Sequence, residues 1–219
     1  MTDPPAERAP VESSPKTPSR RECLIEIASR LFAAHGFEGT TVRRIAHECG
    51  ITEAAIYKHF DSKEHLYEES ILSKTRRHLI KEYLDQHKNQ GSIQEVLNLV
   101  SMHILETSRE DPELIRIMLY SSLEGFRSST LLYREFRYPY IQFLREELKT
   151  RMAQGEIREV NTFITSRCFV GMVMDCALNV ELWNNLESTT YSAEAVVKNN
   201  VPIFAQGLLP AVPGSSTGE

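Results

Sequence analysis

The side chains best suited to chemistry lie between Thr40 and Lys63, in the run TTVRRIAHECGITEAAIYKHFDSK, and the chemistry they suit is recognition of a polyanion. Arg43, Arg44, Lys58 and Lys63 can each neutralise a phosphate, and Lys58 can alternatively reach a guanine. Thr41 and Thr52 add hydroxyls; Thr52 either contacts a base or phosphate or only caps a helix. Ala54 and Ala55 either touch thymine methyls or permit close approach, and His59 stands beside them. Glu53 is an acid among cations. It repels phosphate unless it accepts from a cytosine amino group or pairs with an arginine, and the sequence leaves that choice open. Arg43 or Arg44 can equally pair with Glu48. Bond-making chemistry has no comparable set. His47–Glu48 opens like the zinc motif H-E-x-x-H, but Ile51 occupies the second ligand position. There is no G-x-x-x-x-G-K or G-x-S-x-G run, the histidines include no i, i+4 pair, and Glu146 and Glu147 lie among Arg145 and Lys149 as a solvated face. No catalytic residue, metal site or cofactor is expected.

Short helices must aim those side chains. Thr40 is a good N-cap for a helix over about 41–49, which Gly50 ends at a position suited to positive φ. Thr52 caps a second helix over about 53–60, with Ile51 and Ile56 at hydrophobic-staple spacing. Asp61 and Glu64 have capping-box spacing for a third. Ile45 and Ala46 face inward, and small Ala46 lets the second helix cross close while Ile56 fills the wedge. Two short helices joined by a turn of about three or four residues with Gly make a helix-turn-helix, whose second helix reads the major groove while the first crosses the backbone. That places Thr41, Arg43 and Arg44 at phosphates. Lys63 falls at a helix start, where free N–H groups also favour phosphate. A helical hairpin that binds protein shares the pattern.

The run TTVRRIAHECGITEAAIYKHFDSKEHLYE, with the preceding Ala28, Leu31, Phe32, Gly36 and Phe37, resembles the N-terminal domain of the TetR (tetracycline-repressor-like) family of bacterial one-component regulators. The resemblance covers about Arg21–Glu68, with a looser likeness in Leu119–Gly125. It implies DNA contacts for Thr41, Tyr57 and Lys63, Tyr57 being the recognition-helix tyrosine on phosphate or sugar; partial packing against the first helix is the other reading. The family motif is usually more basic than this one. The resemblance also implies an effector cavity and a dimer interface in the remaining helices. Met102, Arg116, Tyr120, Phe136, Tyr140, Phe169, Met172 and Asp175 are the ligand candidates. Plain core packing is the alternative for the apolar ones, and exposure or pairing across a dimer for Arg116 and Asp175.

The chain has 219 residues, 41% of them hydrophobic, enough for a real core. Its net charge is −5, and seven Lys/Arg face six Asp/Glu from Arg20 to Lys63. A broad positive patch is thereby excluded; affinity for DNA has to come from a few positioned contacts and from dimerisation. Cys23, Cys49, Cys168 and Cys176 form no C-x-x-C and fall on apolar helical faces, so buried reduced thiols in a cytoplasmic protein are expected. No secretory h-region and no apolar run long enough for a membrane span is found.

Residues 1–18 hold half of the ten prolines and read as a disordered tail. Residues 19–66 form the helix-turn-helix unit, 67–209 a larger helical unit, and 210–219 a second tail. The first helix covers about 19–35 and stops at Gly36, with Phe37 folding back on Phe32. Helix four is expected as one piece over about 62–87, a rod of roughly 37 Å at ~1.5 Å per residue. It would join a phosphate contact to the ligand cavity. Further helices cover about 93–108, a stretch from Asp111–Pro112 to about 124, 128–154 (kinked or divided at Pro139), 162–185 and 192–208. The helix over 162–185 is apolar on more than one face. One chain should cover only one of them, so it and the last helix form the dimer interface, with Val173 and Val197 outward.

The expectation is an all-α, homodimeric, cytoplasmic regulator: a repressor released from palindromic double-stranded operator DNA by a small, partly hydrophobic effector. The alternatives are a helical protein-interaction adaptor that does not bind DNA, or an enzyme.

Overall fold

The computed structural model describes residues 19–124, 127–183 and 192–210, and among them the chain is all-α. In order come α1 (Arg20–His35), α2 (Val42–Glu48), α3 (Glu53–Ile56), α4 (Lys63–Arg77), α5 (Ile80–Gln86), α6 (Ile93–Glu110), α7 (Pro112–Glu124) and α8 (Arg127–Leu132). A π-helical turn (Tyr133–Arg137) leads into α9 (Tyr138–Ala153), then α10 (Thr162–Trp183) and α11 (Ala193–Leu208). The expected tail at 1–18, all of the expected tail at 210–219 except Pro210, the helix end at Asn184 and Asn185, Gly125, and the Trp183 side chain lie outside the described residues. Residues 66 and 67 both lie inside α4, so one helix crosses the expected domain boundary.

The head forms around α1. Ser19 caps it by accepting from the Glu22 N–H, and the Glu22 carboxylate bonds back to the Ser19 N–H at 2.6 Å. Leu24, Ile25, Ala28 and Phe32 are buried. Gly36 ends the helix at φ +72°, and Phe37 stacks on Phe32 with ring centroids 6.1 Å apart. Two expected caps shift by one residue. The Thr40 hydroxyl is buried and donates toward the carbonyls of Gly36 (2.8 Å) and Leu31 (3.1 Å), closing the end of α1. Thr41 is therefore the N-cap of α2, accepting from the Arg44 N–H at 3.1 Å. Ser62, not Asp61, caps α4, while the Asp61 carboxylate stays exposed beside His65. Thr52 does cap α3, but α3 stops at Ile56: the N–H groups of His59 and Phe60 both bond the Ile56 carbonyl, and the tightened turn brings Phe60 into the core.

The rod expected over 62–87 is broken. After α4, Leu79 adopts a left-handed conformation (φ 43°, ψ 40°) and α5 starts anew. The physical reason lies in phase. Ile80 follows Ile71 by two and a half turns at about 3.6 residues per turn, so a straight helix would put them on opposite faces. Both are buried, as is Leu84, while Leu79 at the break is 58% exposed. α4 alone has 15 residues, roughly 22 Å at ~1.5 Å each.

α6 is the centre of the body. It buries Val96, Leu97, Val100 and Ile104 and packs against α7, α9, α10 and α11. Each such side chain stabilises by about 1.5–3 kcal/mol relative to exposure. Pro139 lies at the start of α9, and the turn before it widens so that the Tyr138 N–H bonds the Tyr133 carbonyl. Arg151 bonds Glu147 and the carbonyls of Gln90 and Gly91, and Glu147 accepts from the Asn89 N–H, fastening the α5–α6 loop to α9.

Two further expectations are corrected. α10 packs on both α6 and α9 of its own chain and α11 packs on α6, leaving Val173 1% and Val197 9% exposed; neither points outward. The residues that do are Phe163 and Ile164 on α10 and Ile203 on α11. The cysteines are not uniformly buried: Cys23 and Cys168 are exposed, Cys49 and Cys176 half-buried. Each exposed one precedes a buried stripe, Leu24–Ile25 and Phe169–Val170.

Candidate nucleic-acid interface

α2 and α3 bury Val42, Ile45, Ala46 and Ile56 and turn the other side of each helix to solvent. On that side Thr41, Arg43, Arg44, Thr52, Glu53, Ala54, Lys58 and His59 are exposed, Ala55 is half-buried, and Tyr57 is 51% exposed. The contact of Glu48 is with His47 at 4.0 Å, so neither arginine pairs with it. Among the described residues Arg43, Arg44 and Lys58 form no ion pair. Thr41 and Thr52 accept from helix N–H groups, which leaves each hydroxyl proton free to donate. Lys63, first residue of α4, is half-buried with its ammonium 4.0 Å over the Phe37 ring. The ring fixes the cation's position without consuming its N–H donors.

The head is tied to the body at several points. Arg21 bonds Glu69 at 2.5 Å while lying over the Phe60 ring, and Arg77 bonds Glu26 at 2.5 Å. At the end of α7 the Glu124 carboxylate accepts from the N–H groups of Phe37 (3.2 Å) and Glu38 (3.3 Å). A Cβ on Gly36 would lie 2.5 Å from Glu124 Oε1 and 2.9 Å from the Tyr120 ring. The start of α7 is fastened too. Buried Lys74 bonds Asp111 at 3.0 Å and Glu113 at 2.7 Å, with His78 3.6 Å from Asp111. Burial alone would raise the Asp111 carboxyl; the nearby His78 ring and the hydrogen bond from Lys74 overcome it and hold the group below its ordinary range. Burial would lower Lys74, and its two carboxylate partners raise it instead. Sequence reasoning missed these ties. Tyr67, Ile71 and Lys74 share one helical stripe, so a cation among buried residues was the available signal for the second of them.

The ligand candidates are not brought to one place. Phe136, Tyr140 and Phe169 are fully buried, Met102, Met172 and Tyr120 half-buried, and Arg116 and Asp175 exposed. Tyr120 packs against Gly36 with its hydroxyl 3.4 Å from the Ala34 carbonyl, at the head. Asp175 bonds Asn179 on the same helix. Around Tyr140 the structure assembles a polar seam that the sequence did not announce. His103 stacks on Tyr83 at 3.9 Å, with its Nδ1 2.8 Å from the Tyr140 hydroxyl. Burial, aided by His78 and His87, pushes its pKa down to about 4, so the ring is neutral near pH 7. A separate groove of about 340 Å³ runs between α5 and α9, floored by Leu84, Pro139 and Phe143 and rimmed by Lys81, Lys88 and Arg134. None of the eight candidates lines it. No helix among the described residues is long and apolar enough to cross a membrane.

An N-terminal helix-turn-helix carrying an unpaired cationic face, set on a larger helical body, defines the class of protein. The chain belongs to the tetR family of bacterial regulatory proteins. The family profile matches residues 24–70. The probable acrEF/envCD operon repressor of Escherichia coli (strain K12) is 32% identical over 196 residues, 84% of this chain and 86% of that protein. The transcriptional repressor KstR2 of Rhodococcus jostii is 46% identical, over 69 residues covering 32% of this chain. Of KstR2 and similar high-identity relatives the match spans about a third of the length or less, 31% for KstR2. AibR, solved with isovaleryl coenzyme A and operator DNA, shares the fold at TM-score 0.66 and 23% identity, over 84% of this chain and 97% of that one.

Proposed function

We propose that the chain is a homodimeric, cytoplasmic transcriptional repressor that holds a palindromic duplex operator through the α2–α3 face and releases it when a small, partly hydrophobic effector enters the helical body. Residues 19–66 read the DNA; 67–209 bind effector and partner subunit. The observation that carries this reading is the outer face of the head, where Arg43, Arg44 and Lys58 are exposed, and unpaired among the described residues, beside Tyr57, Thr41 and Thr52. Those cations meet phosphate with no internal ion pair to break. A regulator and not an enzyme is further supported by the relatives, which are transcriptional repressors. An acyl thioester of coenzyme A is the first effector class to try, because AibR binds one together with operator.

Because α4 ends at Arg77, coupling between the sites does not run along one long rod. α7 supplies a second route, fastened to Lys74 at one end and to the α1 exit at the other. The test is capture of fragmented genomic DNA from the source organism, followed by fluorescence anisotropy on the recovered duplex across a salt series. Salt-dependent binding to one palindromic site is expected; no duplex retained above background would favour the adaptor reading. An effector that weakens operator binding by some factor must itself bind more weakly, by that factor, when operator is saturating.

A further inference from the structure

We infer that Glu53 selects a cytosine in each half-site, through the N4 amino group in the major groove; the inference rests on the DNA-reading role proposed above. Of the two acidic side chains between Thr41 and Phe60, Glu48 has His47 for company. The Glu53 carboxylate, exposed at the first position of α3, makes no hydrogen bond or ion pair among the described residues. The cations nearest in sequence have not claimed it: Arg43, Arg44 and Lys58 are unpaired too. Of the two ways to reconcile an acid with a DNA-facing surface, neutralisation by an arginine of the same face is therefore absent.

What remains is acceptance from a base. A carboxylate can only accept, so it suits a donor with no acceptor beside it on the same base. Adenine offers its N6 amino beside N7, whose lone pair would face the carboxylate. Guanine offers two acceptors, and thymine an acceptor with a methyl. Cytosine alone presents an amino donor with no acceptor beside it on its own base edge, where a C5–H follows instead. The surroundings allow the approach. Ala54 is exposed and Ala55 half-buried, so the two residues that follow Glu53 on α3 leave room for a base edge. Thr52 is engaged as the cap, accepting from the Ala55 N–H at 3.3 Å. On any sequence lacking cytosine at the facing position, the carboxylate is a repulsive charge beside the backbone. It thus contributes specificity and not general affinity.

The experiment is selection from a randomised duplex library by the purified full chain, with Glu53→Ala and Glu53→Gln run in parallel and thermal melts confirming that all three fold alike. The wild type should enrich a palindrome with cytosine at one symmetric position. Glu53→Ala should lose that preference by roughly tenfold at that position only, with undiminished affinity for substituted sites. Glu53→Gln should move the preference toward adenine, whose N6 and N7 suit an amide. If the wild type and Glu53→Ala enrich the same motif, or if Glu53→Ala weakens binding equally on every sequence, Glu53 reads no base and the inference is overturned while DNA binding stands. A wild type that enriches no motif overturns the inference together with the function beneath it.

Discussion

Glu124 and Phe37, 87 positions apart, are joined by a hydrogen bond in which the Phe37 N–H donates to the carboxylate at 3.2 Å. The same carboxylate takes the Glu38 N–H, so one side chain of the body holds the loop between α1 and α2. Glu124→Ala should raise hydrogen exchange at the Phe37 and Glu38 amides and cost on the order of 1–2 kcal/mol. Gly36→Ala should cost at least as much, since it adds positive-φ strain to a 2.5 Å clash with Glu124. Unchanged exchange at both amides would show that Glu124 does not hold this loop in solution.

Leu79 gives a prediction whose sign decides. In an unbroken helix, Leu79→Gly would cost about 1 kcal/mol. At φ 43° and 58% exposure, glycine instead relieves left-handed strain and sacrifices little burial. The unfolding free energy from urea titration should therefore stay level or rise, by up to about 1 kcal/mol. A clear fall means the rod is continuous after all.

On the DNA face, Arg43→Ala and Lys58→Ala should each lower affinity roughly uniformly across sequences and reduce the salt slope by about 1. Tyr57→Ala and Lys63→Ala should weaken binding without unfolding the head. Wild-type anisotropy curves for all four across a salt series would remove these residues from the interface.

The buried valines and the exposed isoleucines separate folding from assembly. Val173→Glu places a charge in the core and should unfold the chain. Ile203→Glu and Ile164→Glu, on residues 68% and 56% exposed, should leave the fold intact and yield monomers by light scattering. Dimers that persist in both would put the interface elsewhere.

His103 sets an acid limit on the body. Its folded pKa of about 4 lies below the ordinary 6.5, so between those values the unfolded chain binds a proton that the folded chain refuses. Stability should fall as pH drops through that window. His103→Gln should flatten the fall, seen by comparing urea midpoints near pH 7 and pH 4.5. Equal slopes in variant and wild type would mean that the ring titrates normally.

Signals that act within a few residues were legible. Gly36 and Gly50 take positive φ, Thr52 caps α3, and Asp111–Pro112 opens α7, because each depends on local chemistry alone. Adjacent hydroxyls were harder to rank. Thr40 lost the capping role to Thr41 because the carbonyls of α1 claimed it, a contact no local spacing reveals. The break at Leu79 was legible in principle, from the half-turn offset between Ile71 and Ile80. Which face of α10 meets its own chain was not: a helix apolar all round gives no direction, and Val173 turned out to belong to the core. The Glu124 contact spans most of a domain and leaves no periodic trace.

The broken rod has a consequence for how such a chain tolerates change. Adding one residue within a continuous helix rotates everything beyond it by about 100°. At Leu79 the two helical phases are already independent, and an exposed, left-handed residue joins them. An insertion or deletion there would be absorbed by the joint, leaving Lys63 and α4 in register with the head. The length and phase of α5 could drift at this joint while α4, still tied to α7 through Lys74, and the α1 exit, still held by Glu124, kept the reading end aimed.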